Sequence, residues 1–301
     1  MSPADPNSPL YGLETSSPAI DAMMKEAAAL EKSEPEQAAQ RYLEILRNCN
    51  THLGAHNALE KMAHRQSYGA WMNINCVIDP KDDIFHFFAR NATTGNPIRE
   101  YLSDGWRTLS ELLVLMDSVG QPLTRVEAML EFASGFGRFT RHLVKVIPDR
   151  LTCSDVLPGA NEFVKSQFGV RTMDSTHDPS GLVASRQFDL VFVLSLFTHL
   201  PPEDWGRWLN ALHSMVRPGG TLVFTVHNER AARREGISFD PSGAFFLQSS
   251  ESPSIPGHIY GTTFTTRVHV ENAVRNSLGT APLLYKEIAF WSGQDAVVVL
   301  R

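Results

Sequence analysis

"KEIAFWSGQDAVVVL", Lys286 to Leu300, ends the chain in a hairpin: "LLYKEIAF" and "DAVVVLR" read as strands, and the short "WSGQ" between them makes them antiparallel. From Gln121 up to that hairpin, short apolar runs alternate with helical ones, which is the signature of an open α/β sheet. "VEAML", "RLTCSD", "FDLVFVLS" and "TLVFTVH" predict strands, and the almost continuously apolar "FDLVFVLS" predicts one covered on both faces. "GRFTRHLVKVI" predicts a helix with Phe139, Leu143, Val146 and Ile147 inward. "GANEFVKSQFG" predicts a second, burying Ala160, Phe163, Val164 and Phe168 and stopping at Gly169. "PPEDWGRWLNALHSMV" predicts a third, with Trp205, Trp208, Leu209, Leu212 and Met215 on one face.

Upstream of the sheet the pattern is helical. The 301 residues leave room for a core domain and an appendage. Residues 1–18 hold Pro, Ser, Asp and Asn with little to bury, so a disordered N-terminus is expected. In residues 19–66, Ala38, Tyr42, Ile45 and Leu46 recur at helical spacing after Pro35, and Leu53, Leu59 and Met62 continue a further stripe. This segment resembles a tetratricopeptide unit, with Ala38 and Tyr42 in its small and large packing slots, although Asn50 stands where that family usually has Pro. Two readings follow: an ordinary helical hairpin, or a surface for a protein partner. Residues 67–120 form a connection with turn signals at Asp79-Pro80 and Asn96-Pro97. Its last part, "RTLSELLVLMDSVG", reads as a helix burying Leu109, Leu112, Leu113 and Met116. Residues 121–301 make the α/β domain.

Composition narrows the partners. The net charge of −6 comes from 33 acidic and 27 basic residues without a long run of either sign, which argues against nucleic acid. No apolar run approaches the ~20 residues of a membrane helix. The start, "MSPADPNSPLYG", lacks the basic and apolar regions of a signal peptide, so a cytoplasmic protein is expected. Cys49, Cys76 and Cys153 are isolated and odd in number, which predicts reduced thiols. His52 and His56 share a helix face without a third ligand, so a solvated face and no metal site are expected.

"LEFASGFGRF", Leu130 to Phe139, places two glycines between a strand and a helix, a junction suited to a nucleotide-type ligand. A dinucleotide loop wants a third small residue at position 140, where Thr140 stands, and an acid about 20 residues on, where Asp155 stands. A methyltransferase loop wants an acid ending the first strand, a glycine pair after it and an acid ending the second strand. Glu131, Gly135, Gly137 and Asp155 meet those demands, and the antiparallel final strand suits the same fold.

With "SDVLPGANEFVKSQFGV" and "FDLVFVLSLFTHLPPEDWGRWLNALHSMVRPGGTLVFTVH" added, residues 121–301 resemble the class I S-adenosylmethionine-dependent methyltransferases, in a bacterial small-molecule or glycan-type branch. The resemblance implies a doubly wound, mostly parallel seven-stranded sheet with an antiparallel last strand, alongside the N-terminal α-helical extension. It also implies S-adenosyl-L-methionine as cofactor. Ala133 departs from the Gly usual in this motif, and Ser134 from a frequent Cys; alanine is tolerable there if its backbone stays in an ordinary region. By the resemblance, Gly135 and Gly137 pass beside the methionine and ribose parts, Glu131 holds the methionyl end, Asp155 takes the ribose hydroxyls, Val156 is a further cofactor-binding residue, and Asp174 or Ser175 lies near the adenine. Ser195, Leu196 and Phe197 line the far side. Arg138 has two readings, a partner for the methionyl carboxylate or an exposed or structurally paired arginine, since a cation in the first turn of a helix opposes its dipole.

A hydroxyl acceptor benefits from a base. Of 11 histidines, His199 in "SLFTHLPPE" and His227 in "FTVHNE" follow strands at the ligand-bearing edge, so each is either that base or a hydrogen-bonded structural residue. The long polar stretch at about 228–282 predicts a lid over the acceptor, with His258 and Tyr260 as contacts. The expected activity is O-methylation of a small molecule or sugar. The alternative is an interaction protein that binds cofactor without turnover and recruits a partner through its N-terminal helices.

Overall fold

The computed structural model describes residues 17–91 and 96–301; the disorder expected for the N-terminus falls, up to residue 16, outside them. The chain forms two compact units, residues 17–105 with 251–253, and residues 106–250 with 254–301.

The first unit is helical. Helix α1 (Pro18–Leu30) starts at Ser17, whose side chain accepts from Ile20 N–H, with Pro18 at its first position. Helices α2 (Pro35–Asn48) and α3 (Leu53–Lys61) follow, and Ala27, Ala38, Ala39, Tyr42, Ile45, Ala55 and Leu59 make one buried cluster. The solvated histidine face does not form. His52 caps α3 by accepting from Ala55 N–H, and His56 is buried with Nε2 3.3 Å from the Cys76 carbonyl, because residues 74–78 pass over it. After α4 (Tyr68–Met72) and α5 (Asp83–Asn91), helix α6 (Pro97–Ser118) opens; Ile98, Tyr101 and Leu102 pack with Cys76, Ile78 and Phe85. Thus Asn96-Pro97 is a helix start rather than a free turn: proline is accommodated at the first helical position, and the Asn96 side chain accepts from Arg99 N–H.

The second unit takes the rest of α6 and a seven-stranded sheet. Its strands are β1 (Met129–Phe132), β2 (Leu151–Ser154), β3 (Arg171–Thr172), β4 (Phe188–Val193), β5 (Val216–Val226), β8 (Leu284–Phe290) and β9 (Gln294–Leu300), in the order β3-β2-β1-β4-β5-β9-β8. The first five are parallel, and β9 lies antiparallel between β5 and β8. Side chains alternate between faces. Leu130, Phe132, Val191, Val193, Leu222, Phe224, Val297 and Val299 meet α9 (Trp205–Ser214) and α11 (Arg267–Leu278) on one side. Met129, Leu190, Phe192, Val223, Ala296 and Val298 meet α6 on the other, together with α7 (Thr140–Leu143) and α8 (Ala160–Phe168).

Two elements differ from the sequence expectation. Strand β1 starts at Met129 rather than Val126, because Asp189 Oδ2 takes the N–H groups of Glu127 and Ala128 at 2.7 Å and holds them out of the ladder. Helix α7 has only four residues instead of the run from Gly137 to Ile147: Gly137 is left-handed (φ 79°) before it, and Pro148 closes the turns after it. Val146 is consequently exposed, while Phe139, Leu143 and Ile147 are buried as expected. The stretch 228–282 is well structured. It contains α10 (Glu229–Arg234), an antiparallel pair of strands β6 (Ala244–Leu247) and β7 (Thr262–Thr265), and α11.

Candidate active site

The sheet's order reverses between β1 and β4, and in open α/β sheets the crevice at the carboxyl ends of such strands is where ligands bind. Two backbone outliers mark this edge. Ala133, one residue past β1, has φ 60°, and Ser195, two past β4, has φ 63°. Side chains disfavour this left-handed region, and strain of this kind clusters at functional sites. Ala133 is therefore not in an ordinary backbone region, contrary to the condition under which the alanine was expected to be tolerated. Ser195 is held by its N–H donating to Thr225 Oγ1 at 2.8 Å and by Gln294, whose Nε2 reaches Ser195 Oγ at 2.8 Å.

Beyond Ala133 the loop crosses to β2. Gly135 N–H donates to Asp155 Oδ2 at 2.7 Å, and Leu157 N–H to Asp155 Oδ1 at 2.8 Å, so one carboxylate ties both loops together. A Cβ on Gly135 would meet nothing within 4 Å, which leaves open space beside this backbone. Gly137 is glycine for another reason: a Cβ there would lie 2.4 Å from the Phe168 ring. With α7 starting only at Thr140 and spanning one turn, no helix dipole is aimed at Gly135 and Gly137, and the anion-binding helix end expected of this junction is absent. Arg138 precedes α7 and is buried, with its guanidinium 4.3 Å over the Trp291 ring, a placement that fits either of its two readings.

Glu131 lies in β1 and is buried. Thr140 Oγ1 donates to its Oε2 at 2.7 Å and Cys153 Sγ at 3.6 Å. Burial outweighs these bonds and pushes its carboxyl up to about 8, and burial likewise raises the Cys153 thiol. Thr140, an imperfect third small residue in the sequence, proves to be the hydroxyl that holds Glu131. Val156 is half-buried beside Asp155; Asp174 is exposed and Ser175 half-buried just past β3. Leu196 and Phe197 are buried, and Phe197 packs against Trp205 and Phe224, so its side chain belongs to the core and leaves only its backbone to the edge.

The histidines are brought together by the segment that includes β7. Thr263 N–H donates to Thr198 O at 2.7 Å, Gly261 N–H to His199 O at 2.9 Å and Thr265 N–H to His227 O at 2.9 Å, which stitches this strand to the ends of β4 and β5. His199 is buried, with Nδ1 2.6 Å from Gly261 O; His227 Nδ1 lies 3.2 Å from Thr263 O. Their ring centroids are 6.2 Å apart, Tyr260 stacks on His199 at 4.3 Å, and Phe264 stacks on His227 at 5.2 Å. His258 does not join them: it is exposed, and among the described residues its ring meets no other ring. At the same end of the sheet Asp295, missed in the sequence because it reads as a strand start, is buried and accepts from Tyr285 Oη at 2.9 Å, from Ile288 N–H at 2.8 Å and from Asn228.

A loop with open backbone after β1, an acid closing β2 and a parallel sheet with an antiparallel insertion at one side together define a nucleotide-type transferase fold. Residues 129–220 match a family described as a methyltransferase domain. The chain thus carries a class I S-adenosylmethionine-dependent methyltransferase domain and is an enzyme with that cofactor. None of the curated proteins matches it. Solved structures similar to it include an S-adenosylmethionine-dependent methyltransferase of Clostridium acetobutylicum, at 13% identity over 65% of this chain and 92% of that one (TM-score 0.49). DesVI of Streptomyces venezuelae has 14% identity over 74% and 98% (TM-score 0.49). The 1,6-didemethyltoxoflavin-N1-methyltransferase of Burkholderia thailandensis has 17% identity over 72% and 86% (TM-score 0.46). Likenesses this distant say nothing of the acceptor. Among the described residues no helix is long and apolar enough to cross a membrane.

Proposed function

We propose that the chain methylates a hydroxyl on a small molecule or sugar, with His199 or His227 taking the hydroxyl proton. The pair of imidazoles at the ends of β4 and β5 carries this reading. A carbonyl oxygen only accepts, so the 2.6 Å and 3.2 Å contacts to Gly261 O and Thr263 O make Nδ1 the protonated nitrogen in each ring. In the neutral form of each ring the lone pair then lies on Nε2, and an imidazole in that form is the side chain suited to accept a proton from a hydroxyl. Stacking on Tyr260 and Phe264 fixes both ring planes, which suits a group that must meet its substrate in one orientation.

S-adenosylmethionine supplies the electrophilic methyl of its sulfonium. The chain's own part is to bind and orient. The open backbone at Gly135 admits the ligand, with Ala133 and Gly137 shaping the same loop. The acceptor carboxylate of Asp155, at the end of β2, suits the ribose hydroxyls, with Val156, Asp174 and Ser175 on that side and Ser195 and Leu196 on the other. Glu131 would hold the methionyl ammonium as its carboxylate, so binding would release the proton that burial keeps on it. Tyr260, stacked on His199, borders the acceptor.

The test is product formation from purified protein, S-adenosylmethionine and a panel of hydroxylated acceptors, with the methylated atom located by mass spectrometry and NMR. His199→Asn or His227→Asn should lower kcat by about 10²–10⁴-fold with little change in cofactor KM. Methylation at nitrogen, or unchanged kcat in both variants, would sink the reading.

A further inference from the structure

We propose that the helical unit holds a second ligand site, a pocket for a small organic acid with an apolar body, built from residues that methyl transfer does not use. The cavity encloses about 350 Å³, within the ~300–1,000 Å³ of typical ligand pockets. It is lined from the ends of α2 and α3, the start of α4 and the first turn of α6. Leu46, Leu59 and Ile98 give it an apolar wall.

Its charges are unbalanced. Arg47 and Arg99 both line the cavity, and among the described residues neither is paired with a carboxylate. Arg47 suits its place in the last turn of α2, where the helix dipole favours a cation. Arg99 does not: it stands in the first turn of α6, where the dipole opposes it, with its guanidinium 6.0 Å above the Tyr68 ring. An anion between these two side chains would relieve that cost. The one acid in the lining is Glu60, whose side chain is buried and whose Oε1 accepts from Gly69 N–H at 2.9 Å. That end of the cavity is thus already occupied by a carboxyl of the chain, with His56 Nε2 4.0 Å from it. The acid therefore sits with the arginines, and the apolar body lies along Leu46, Leu59 and Ile98. Carboxylates and phosphate monoesters share this chemistry.

Titration calorimetry of the full chain with octanoate and with octyl phosphate tests the site, with octanol and inorganic phosphate as controls. At least one of the two acids should bind, about tenfold or more tighter than either control. The tighter of the two identifies the head group. Arg47→Gln and Arg99→Gln, both at exposed positions, should each weaken that binding about tenfold with an unchanged Tm. Leu46→Glu should abolish it, and Asp155→Ala should leave it intact. The site is overturned by any of these: neither acid giving heat at millimolar concentration, octanol binding as well as the tighter acid, or both arginine variants binding like the parent chain.

Discussion

Burial sets the charge of Glu131. Its carboxyl is raised from an ordinary 4.5 to about 8, so between those values the folded chain keeps a proton that the unfolded chain releases. The fold's stability is then greatest at the acid end of this window and declines as pH rises through it, levelling off above about 8. Glu131→Gln should remove the decline: urea unfolding from about pH 5 to pH 8 should show the variant gaining on the parent as pH rises. A parallel pair of profiles would mean that Glu131 is ionised in the folded state. S-adenosylhomocysteine, if its ammonium meets this carboxylate, should bind more tightly with increasing pH up to about 8, one proton leaving per ligand. Two residues along, Ala133 holds φ 60° where the family usually has Gly. Ala133→Gly should stabilise the chain by about 0.5–1 kcal/mol, the relief of a left-handed alanine (~1–2 kcal/mol) less the entropy that glycine loses on folding (~0.5–1 kcal/mol). Ser195→Gly should gain less, because it gives up the contact with Gln294. Chemical denaturation with both variants separates the two cases.

Helix α11 shows what periodicity conceals at the scale of an element. Thr266 caps it by accepting from His269 N–H, Gly279 ends it in the left-handed region, and Val270 and Val274 are fully buried in the core with α9. All three signals stand in the sequence, yet most positions of the helix are polar and it sits in a stretch rich in Gly, Pro and Ser, so it reads as part of a long connection. The strands were legible because their apolar runs are continuous, and α9 because its tryptophans repeat on one face. Helix α7 is shorter than its apolar period implies, because Gly137 is left-handed before it and after Leu143 the bonds of Lys145 and Val146 N–H reach back only three residues, to His142 and Leu143. A packed layer and a movable lid predict different costs for α11. Val274→Ala should destabilise the chain by about 1–3 kcal/mol through the cavity it leaves, whereas Val268→Ala, at a residue 67% exposed, should change it by under ~0.5 kcal/mol. Equal effects would mean that α11 is not part of the core.

Across the whole molecule, the site was readable where it follows the chain and hidden where it crosses it. Glu131, Gly135 and Asp155 announce themselves by spacing along two adjacent strands. The partners of His199 and His227 lie on Gly261 and Thr263, in a strand that only the folded chain brings to the ends of β4 and β5, and Asp295 joins Tyr285 and Asn228 from the last hairpin. Asp155 belongs to both levels, since it ties the β1 and β2 loops and is the proposed ribose acceptor. The two roles separate by comparing Asp155→Ala with Asp155→Asn. Alanine leaves Gly135 and Leu157 N–H without their carboxylate and should lower stability by about 1–3 kcal/mol; asparagine keeps one acceptor oxygen and should cost less. S-adenosylhomocysteine at about 100 times its Kd should stabilise the parent chain by about 2.7 kcal/mol, because it binds only the folded state. Alanine should lose that gain at the same ligand concentration. Asparagine should keep more of the fold than of the gain, since its amide retains an acceptor for the loop but not the charge that favours ribose hydroxyls. Should both variants keep the full ligand-induced rise in Tm, Asp155 would be a loop tie alone, and the ribose would have to be held elsewhere on this edge.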